Sequence, residues 1–551
     1  MMGSTTTLRG ANRQFVFLLL TVIVVCGTLL AAFRVGVDRG FPGAIGTQTW
    51  GRMLFAIGAA VTQMDHGGYG YTLSTVIETI LTYGGLTADP KILADAASKY
   101  PDNLRDPNLI NGAIDKAARF KWPFNPDESI RGSGGDDIGL VDYALASFYL
   151  FGHRLQSLYF AYFLFFGISV AAFIVTFRSR PEVLALVVIA CIAHVFLFAS
   201  GIFDLEQTAS IADPRCLSVL ATVPGLNIAC LMLWRTRLSA ADLAVAGVQS
   251  TILMFAFWIR ASAIWVVVGL ALVALLIVLN GLFDRRLELA RLWSFGVLLS
   301  VLAAHTLYVS IALHPIYRAK GEISHHVFWH GVFYQLQIHP QWKEKYGPQF
   351  DNATGDLLPD VAAKKYLEKH PSSDPDIYVP EDRSYLTVGA RETYTRKAFF
   401  DFLINDPKFV FETVFWHKSK RIADLLLQYL NSLFNGSAIG YAAAFLVLLV
   451  LAGFLATGGR AEYRRFEGGV LLLTGAFFVS LLPIVLTIPA MMVEQYFVLL
   501  IALGGWIMLV FSAALRAIIG LVERSRTTIR VPAAYHSRGA TRCHNPGRRK
   551  G

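Results

Sequence analysis

The sequence has 551 residues, of which 54% are apolar and only 16% are charged. Soluble domains carry about 25% charged residues, so this composition excludes an ordinary soluble protein. The net charge of +10 does not require a nucleic-acid partner, because Lys and Arg accumulate on the cytoplasmic side of membrane proteins. The five cysteines include no C-x-x-C pair, so neither a disulfide framework nor a zinc ribbon is expected.

Ten apolar blocks follow one another along the chain. Each is long enough to cross a hydrocarbon core about 30 Å thick. They lie at 14–33, 156–177, 181–201, 215–234, 241–258, 262–282, 292–313, 438–457, 468–489 and 493–515. We therefore predict an all-α polytopic membrane protein of about ten transmembrane helices, whose first block is an uncleaved helix rather than a signal peptide.

The connections between these blocks alternate in charge. Every second connection is rich in arginine, beginning with Arg9 and Arg13 before the first block. The short connections between them are acidic, as at Asp204 and Glu206, or carry a single charge, as at Glu494. The positive-inside rule then predicts that both termini are cytoplasmic, in a multi-pass protein of the bacterial inner membrane.

Two connections are too long to be structureless loops, so each is expected to carry its own fold. The predicted division, from N-terminus to C-terminus, is a cytoplasmic start with the first helix, a first extracytoplasmic loop domain, a six-helix bundle, a second extracytoplasmic loop domain, a three-helix segment and a disordered basic cytoplasmic tail. Its boundaries are 1–33, 34–155, 156–313, 314–437, 438–515 and 516–551. Within the second loop domain, residues 348–383 are rich in Asp, Pro and Asn and are predicted to be irregular.

The first candidate for chemistry lies just before the second block. The stretch Gly134–Tyr143 places Asp136 and Asp137 among glycines. Two neighbouring carboxylates can supply a general base, or bind a divalent cation if they converge. A solvated turn with aspartate as the helix N-cap is the alternative. No cofactor is predicted, because nothing further in the sequence supports a cation.

Two more carboxylates follow the first block. Asp38 lies within a turn or two of the predicted membrane exit, where it would face a lipid-borne substrate, although arginines flank it and can pair with it. Asp65 and His66 can form an acid–base pair only in a loop, because neighbouring residues on a helix do not share a face. Asp38 and Asp65 are therefore further candidates for a catalytic base.

The second long connection begins with the pattern His326-x-x-Trp329-His330-x-x-x-Tyr334. Two histidines four residues apart share a face on a helix and can hold a metal. No carboxylate completes an H-E-x-x-H pattern, so no metal site is predicted. An interfacial helix with imidazoles toward a polar cleft is favoured, and His326, His330 and Tyr334 are candidates for binding a carrier phosphate or a sugar hydroxyl.

Arg260 stands alone in a tight connection where the charge pattern predicts few cations. A charge at such a place is a candidate functional residue. The planar guanidinium suits the phosphate of a polyprenyl carrier. Snorkelling of an ordinary interfacial arginine is the alternative.

Within the blocks, the polar residues His194 and His305 are each predicted to form a helix–helix hydrogen bond. The chain contains no P-loop, Rossmann fingerprint, serine nucleophile elbow or haem motif. A nucleotide-driven reaction on the cytoplasmic side therefore has no support in the sequence.

This layout resembles the GT-C superfamily of membrane glycosyltransferases, which includes bacterial mannosyltransferase-like and aminoarabinose-transferase-like proteins. The resemblance is carried by Gly135-Asp136-Asp137-Ile138-Gly139-Leu140-Val141-Asp142, which leads into Tyr143–Gly152, and by the histidine pattern above. It implies a GT-C-like fold and transfer of a sugar from a polyprenyl-phosphate-linked donor to a glycan or lipid acceptor. It also implies a first-loop aspartate as base, for which Asp38 has the usual position but lacks the usual acidic neighbour.

Two other functions remain open from the sequence. An O-antigen polymerase or ligase also has many helices and a large loop with His and Arg, although the first-loop carboxylates favour the transferase. A transporter or assembly scaffold would show paired breaks in its helices. Pro224-Gly225 is one such break, and no second appears.

Overall fold

The computed structural model describes most of the chain in segments separated by gaps. The described ranges are 4–40, 47–66, 76–85, 107–120, 139–199, 214–260, 263–283, 288–312, 328–355, 357–374, 377–379, 382–433, 438–487 and 493–529. Side chains at the ends of several segments, including those of Asp38 and Asp65, lie outside the described part.

The first helix is longer than the apolar block that predicts it. Helix α1 spans Ser4–Gly40, so the residues after 33, Asp38 among them, continue the helix instead of opening a loop. In its described residues, the first long connection then contributes four helices, α2 (Thr47–His66), α3 (Val76–Tyr83), α4 (Pro107–Arg119) and α5 (Gly139–Phe151). Helix α2 packs against α3, α4 and α5, and burial of its Leu54, Ile57 and Val61 stabilises this group.

A group of spanning helices follows without a long interruption. They are α6 (Leu155–Phe177), α7 (Pro181–Ala199), α8 (Pro214–Ser218), α9 (Thr222–Trp234), α10 (Ala240–Ile259), α11 (Ile264–Phe283) and α12 (Trp293–Ala312). Helices α8 and α9 form one span, joined by a 3₁₀ turn at Val219–Ala221. The break in this span therefore lies just before the Pro224-Gly225 pair, which fits the first turn of α9.

The second long connection folds around an aromatic core of Phe333, Trp342 and Phe402. It contains α13 (Phe328–Tyr334), α14 (Trp342–Lys345), α15 (Leu357–Lys369), a two-stranded antiparallel sheet of β1 (Tyr378–Val379) and β2 (Asp382–Leu386), α16 (Val388–Asn405), α17 (Pro407–Phe411), a π-helical turn at Glu412–His417 and α18 (Lys418–Leu433). The irregular structure predicted for 348–383 is wrong, because α15 occupies its middle. Leu358, Ala362 and Leu367 of α15 are buried, and this spacing favours a helix.

Three long helices are the last described elements, α19 (Ala438–Ala456), α20 (Arg460–Leu486) and α21 (Val493–Ile529). In the described residues, ten helical segments are long and apolar enough to cross a membrane. They coincide with the ten predicted blocks, so the prediction of a helical multi-pass membrane protein is confirmed. Helix α21 runs on to Ile529, so the tail predicted from residue 516 begins as helix.

The two ends of the bundle are chemically different. At one end, Arg13 pairs with Glu462 at 3.2 Å and Arg465 pairs with Glu182 at 3.1 Å, which joins the N-terminal parts of α1, α7 and α20. We call this the Arg13 end. The opposite ends of the spans include Arg260, which lies beside Glu494 of α21, and we call them the Arg260 end.

Candidate functional site

Arg260 follows the last residue of α10 and ends that helix, with its backbone N–H donating to the carbonyl of Ala256 at 3.1 Å. Its Nε atom lies 3.6 Å from Oε1 of Glu494, and the guanidinium side chain is 21% exposed whereas Glu494 is 2% exposed. The Nη1 atom of Arg260 is buried and has no hydrogen-bond partner among the described residues. Glu494 contacts the guanidinium of Arg260 at Nε, and the Nη1 donor remains for another acceptor. Such an arrangement is suited to an anionic ligand.

Glu494 is placed by two elements. It lies in the first turn of α21, where the helix dipole favours a carboxylate. Ser218, the last residue of α8, donates its hydroxyl to Oε1 of Glu494 at 2.6 Å. The break in the fourth span therefore supplies a hydrogen bond that helps to hold the carboxylate beside Arg260.

Helix α5 begins against the chain that carries Arg260. A Cβ atom at Gly139 would lie 2.2 Å from the carbonyl carbon of Trp258 and 2.5 Å from the amide nitrogen of Ile259. Only glycine permits so close an approach of two backbones. The start of α5 and the end of α10 are therefore in direct contact, and Gly139 stands two residues after Asp137 in the sequence.

An apolar cavity of about 300 Å³ opens between α9, α11, α20 and α21. Apart from Thr222, its lining consists of glycines and apolar side chains, from Trp265 and Val266 in the first turn of α11 to Leu276 farther along. Trp265 is five residues beyond Arg260, so the cavity extends from the Arg260 end into the membrane-spanning part. A larger cavity, of about 450 Å³, includes Glu288 and Arg291 in its lining and lies at the opposite end of α11.

The helix–helix hydrogen bonds predicted for two histidines are absent from the described residues. His194 is fully buried, neither ring nitrogen has a partner, and its ring stacks on that of Phe166 at 4.1 Å between centroids. His305 stacks on Trp258 at 4.8 Å, and its Nδ1 atom has no partner. Aromatic stacking replaces the expected polar contacts at both positions.

Several predicted site residues fall outside what the structure describes. Asp136, Asp137 and His326 lie in gaps between the described segments, and of Asp38 and Asp65 only the backbone is described. Asp65 and His66 are the final residues of α2, so the loop required for an acid–base pair is absent there. The catalytic assignment among these carboxylates therefore stays a prediction.

His330 and Tyr334 lie on α13, in the second long connection. The N-terminal amides of this short helix are held by Glu392, which accepts from Trp329 N–H at 2.8 Å and from His330 N–H at 3.0 Å. Helix α13 packs on α15 and α16. The described contacts thus place His330 within the second loop domain, and they do not bring it to Arg260.

Lys418 connects this domain to the spanning bundle. Its Nζ atom is buried and donates to Oε1 of Gln335, which directly follows α13, and to the carbonyl of Val485 near the end of α20 at 2.8 Å. Burial lowers the pKa of Lys418 to about 7. A neutral lysine amine has two N–H groups, and this number matches the two acceptors, Gln335 and the carbonyl of Val485.

Ser218, Lys418 and Glu494 were not predicted as functional residues. Nothing in the sequence distinguishes Ser218 or Lys418, because serine at the edge of an apolar block and lysine in an amphipathic helix are common. Glu494 could have been noticed, since it is the only charge in the last short connection. Across the described ranges, no group of three or more His, Cys, Asp or Glu side chains is arranged to hold a metal ion.

Two crystal structures resemble this chain weakly. ArnT from Cupriavidus metallidurans in the apo state is 14% identical, with 90% of this chain and 76% of that chain covered and a TM-score of 0.28. The same protein bound to undecaprenyl phosphate is 12% identical, with 90% of this chain and 77% of that chain covered and a TM-score of 0.27. No family model and no curated protein matches the chain. Values this low establish neither family nor activity.

Proposed function

We propose that the protein is an integral membrane glycosyltransferase that moves a sugar from a polyprenyl-phosphate carrier to a cell-envelope glycan or lipid. The observation that carries the proposal is Arg260, a largely enclosed guanidinium whose buried Nη1 atom has no partner among the described residues. It stands five residues before Trp265, where α11 begins to line an apolar cavity. A lipid phosphate matches both features, because its phosphate suits the guanidinium and its apolar chain suits the cavity. Undecaprenyl phosphate, the lipid bound to ArnT in the second solved structure, belongs to the proposed carrier class.

Arg260 would bind the phosphate of the carrier. When the sugar leaves, the bond between its anomeric carbon and the phosphate oxygen breaks, and the phosphate gains negative charge. A guanidinium in a partly desolvated site stabilises that charge more than water does. Glu494 and Ser218 would position Arg260, because the buried carboxylate fixes Nε and leaves the other side of the guanidinium for the ligand.

A carboxylate would supply the base that takes the proton from the acceptor hydroxyl as its oxygen bonds to the anomeric carbon. Asp136 and Asp137 are the favoured candidates, because the chain that follows them directly contacts the residues before Arg260. Asp38 and Asp65 remain competitors. His326, His330 and Tyr334 are proposed to bind the carrier or the sugar from the second loop domain, to which Lys418 supplies the described connection.

The charge alternation supports an orientation for this site. With both termini in the cytoplasm of a bacterial cell, the Arg260 end and both long connections would face outward from the inner membrane. The reaction would then use a carrier already loaded with sugar, consistent with the absence of a nucleotide-binding motif from the sequence.

The test uses a strain lacking the gene, complemented with Asp38→Asn, Asp65→Asn, Asp136→Asn or Asp137→Asn, with glycan and lipid profiles read by mass spectrometry. We expect loss of the product with one of the last two and its retention with the others. Isosteric Asn removes the base while it keeps the size of the side chain.

Direct carrier binding provides the companion measurement. Purified protein in nanodiscs should bind undecaprenyl phosphate, and the carboxylate variants should bind it as well as the unchanged chain does. If all four variants restore the profile and the unchanged protein does not bind the lipid, the transferase proposal is wrong. Binding without any role for a carboxylate would favour a transporter of lipid-linked sugars instead.

A further inference from the structure

Three large aromatic side chains stand in water-accessible positions on the second loop domain, outside the spanning helices. Phe411, Phe415 and Trp416 are 56%, 63% and 71% exposed. We call this group the aromatic edge. The rings of Phe411 and Phe415 stack at 5.8 Å between centroids, and Trp416 is the next residue in the chain. A soluble surface rarely exposes neighbouring aromatic side chains of this size unless they meet another apolar phase.

The local backbone explains how the edge is formed. Phe409 and Val410 of α17 are buried in the aromatic core of the domain. The next turn, Glu412–His417, is π-helical, with only Thr413 buried. A π-helical turn adds a residue to the helical cycle and is often found at functional positions. One side of the segment is thus anchored in the domain, whereas the other side presents the aromatic edge.

Contacts immediately after the edge place it at membrane level. Lys418, two residues beyond Trp416, donates to the carbonyl of Val485, the final residue of a spanning segment. Farther along α18, the carbonyl of Tyr429 accepts from the hydroxyl of Tyr496 at 3.2 Å, one turn into α21. Both parts of α18 therefore contact spanning helices at their Arg260 end, and α18 lies across that end.

The charges beside the edge fit the same placement. Lys408 is 84% exposed, and Lys420 and Arg421 in the first turn of α18 are exposed as well. Glu412 and Asp424 are the acidic neighbours. Long basic side chains next to exposed aromatics are typical of segments at a bilayer surface, where the charged groups contact headgroups and the rings enter the boundary with the acyl chains.

We propose that the aromatic edge is seated in the interfacial region of the bilayer, so that the second loop domain rests on the lipid surface rather than standing free in water. The partner is the lipid bilayer itself. The inference depends on the spanning helices and not on the proposed transfer reaction. Helix α18 and the edge together would fix the height of α13 and its neighbours above the membrane.

The experiment uses the full chain in nanodiscs of phosphatidylethanolamine and phosphatidylglycerol. A nitroxide is attached to Phe415→Cys in a background with Cys26→Ala and Cys543→Ser. Its matched control is Glu368→Cys on α15, where the native side chain is 64% exposed in the same domain. We expect relaxation by oxygen to dominate at 415 and relaxation by a water-soluble nickel chelate to dominate at 368, a several-fold difference in their ratio.

Two results would overturn the proposal. Equal access of the nickel chelate to both labels would show that the aromatic edge is in water. Poor access of both reagents to the label at 415, with dipolar broadening between copies, would show that a second protein chain covers the edge. The native side chains at 415 and 368 are both exposed, so neither label requires repacking of a core.

Discussion

The ion pairs of Arg13 and Arg260, which lie at opposite ends of the spanning bundle, differ in the burial of the carboxylate. At the Arg13 end, Arg13 and Glu462 are 29% and 28% exposed and form an ion pair at the surface. At the Arg260 end, Arg260 contacts a carboxylate that is 2% exposed and also accepts from Ser218. Ion pairs of the first kind stabilise a protein by about 0–1 kcal/mol. A buried carboxylate costs more to desolvate. Because Glu182, the partner of Arg465 at the Arg13 end, is also 2% exposed, a binding role for Arg260 depends on its position directly after the contact between Gly139 and Trp258.

The comparison is tested most directly by removing one arginine at each end. Arg260→Ala should lower sugar transfer by about 100-fold, the typical effect of losing one group that stabilises transition-state charge. Arg235→Ala is the matched control, because Arg235 also follows a spanning helix, is 29% exposed and lies 3.9 Å from Asp242. Transfer in proteoliposomes containing the lipid-linked donor measures both. Equal losses would contradict a special role for the Arg260 end.

The backbone contact beneath Arg260 provides the second test. Gly139→Ala places a methyl group inside the contact with Trp258, and overpacking of this kind costs about 1–3 kcal/mol. We expect a lower thermal midpoint in detergent together with weaker carrier binding. Gly247→Ala on α10 has no heavy atom within 4 Å of the added Cβ, and it should change neither quantity. An unaffected Gly139→Ala protein would separate α5 from the site.

The junction at Lys418 predicts a dependence of stability on pH. Its pKa falls from 10.5 to about 7 on folding, so between these values the unfolded chain binds more protons and stability rises with pH. Below pH 7 both states carry the proton, and the dependence disappears. The thermal midpoint should therefore be higher at pH 9 than at pH 7, and Lys418→Met should flatten this rise.

The control for this junction is Lys420→Met, whose native side chain is exposed one half-turn away. It should keep the rise in thermal midpoint between pH 7 and pH 9. A rise that survives in Lys418→Met would assign the dependence to other groups.

The smallest effect is expected at the Arg13 end. Glu462→Gln should change the free energy of unfolding by at most about 1 kcal/mol, because both partners of Arg13 and Glu462 reach solvent. Reversible unfolding in mixed micelles measures it. A loss several times larger would show that the two ends are more alike than their exposure indicates.

The spans could be predicted from the sequence because a bilayer imposes its thickness on every crossing helix. The site could be predicted only in part. Arg260 was found because it breaks the charge pattern, but its ion pair with Glu494 was not, and neither was the hydrogen bond that Glu494 accepts from Ser218, 276 residues away in the chain. No local pattern encodes a contact over that separation.

Local composition misled the prediction in one place. Residues 348–383 are rich in turn formers as a whole, yet α15 folds within them because residues 357–369 are mostly good helix formers and bury one face. An acid–base pair of Asp65 and His66 requires a loop, whereas both residues belong to α2. The burial of Lys418 could not be predicted for a different reason. Its Nζ atom donates to the carbonyl of Val485 on α20, which is far along the chain.

Helix α21 links the two ends mechanically. It has 37 residues, about 55 Å at 1.5 Å per residue, against a hydrocarbon core of about 30 Å. Glu494 sits in its first turn, so the carboxylate is mounted on a rod that protrudes from the opposite side. A partner that shifted the protruding part relative to α10 would be expected to change ligand binding at Arg260, and that ligand would change the affinity for the partner by the same factor.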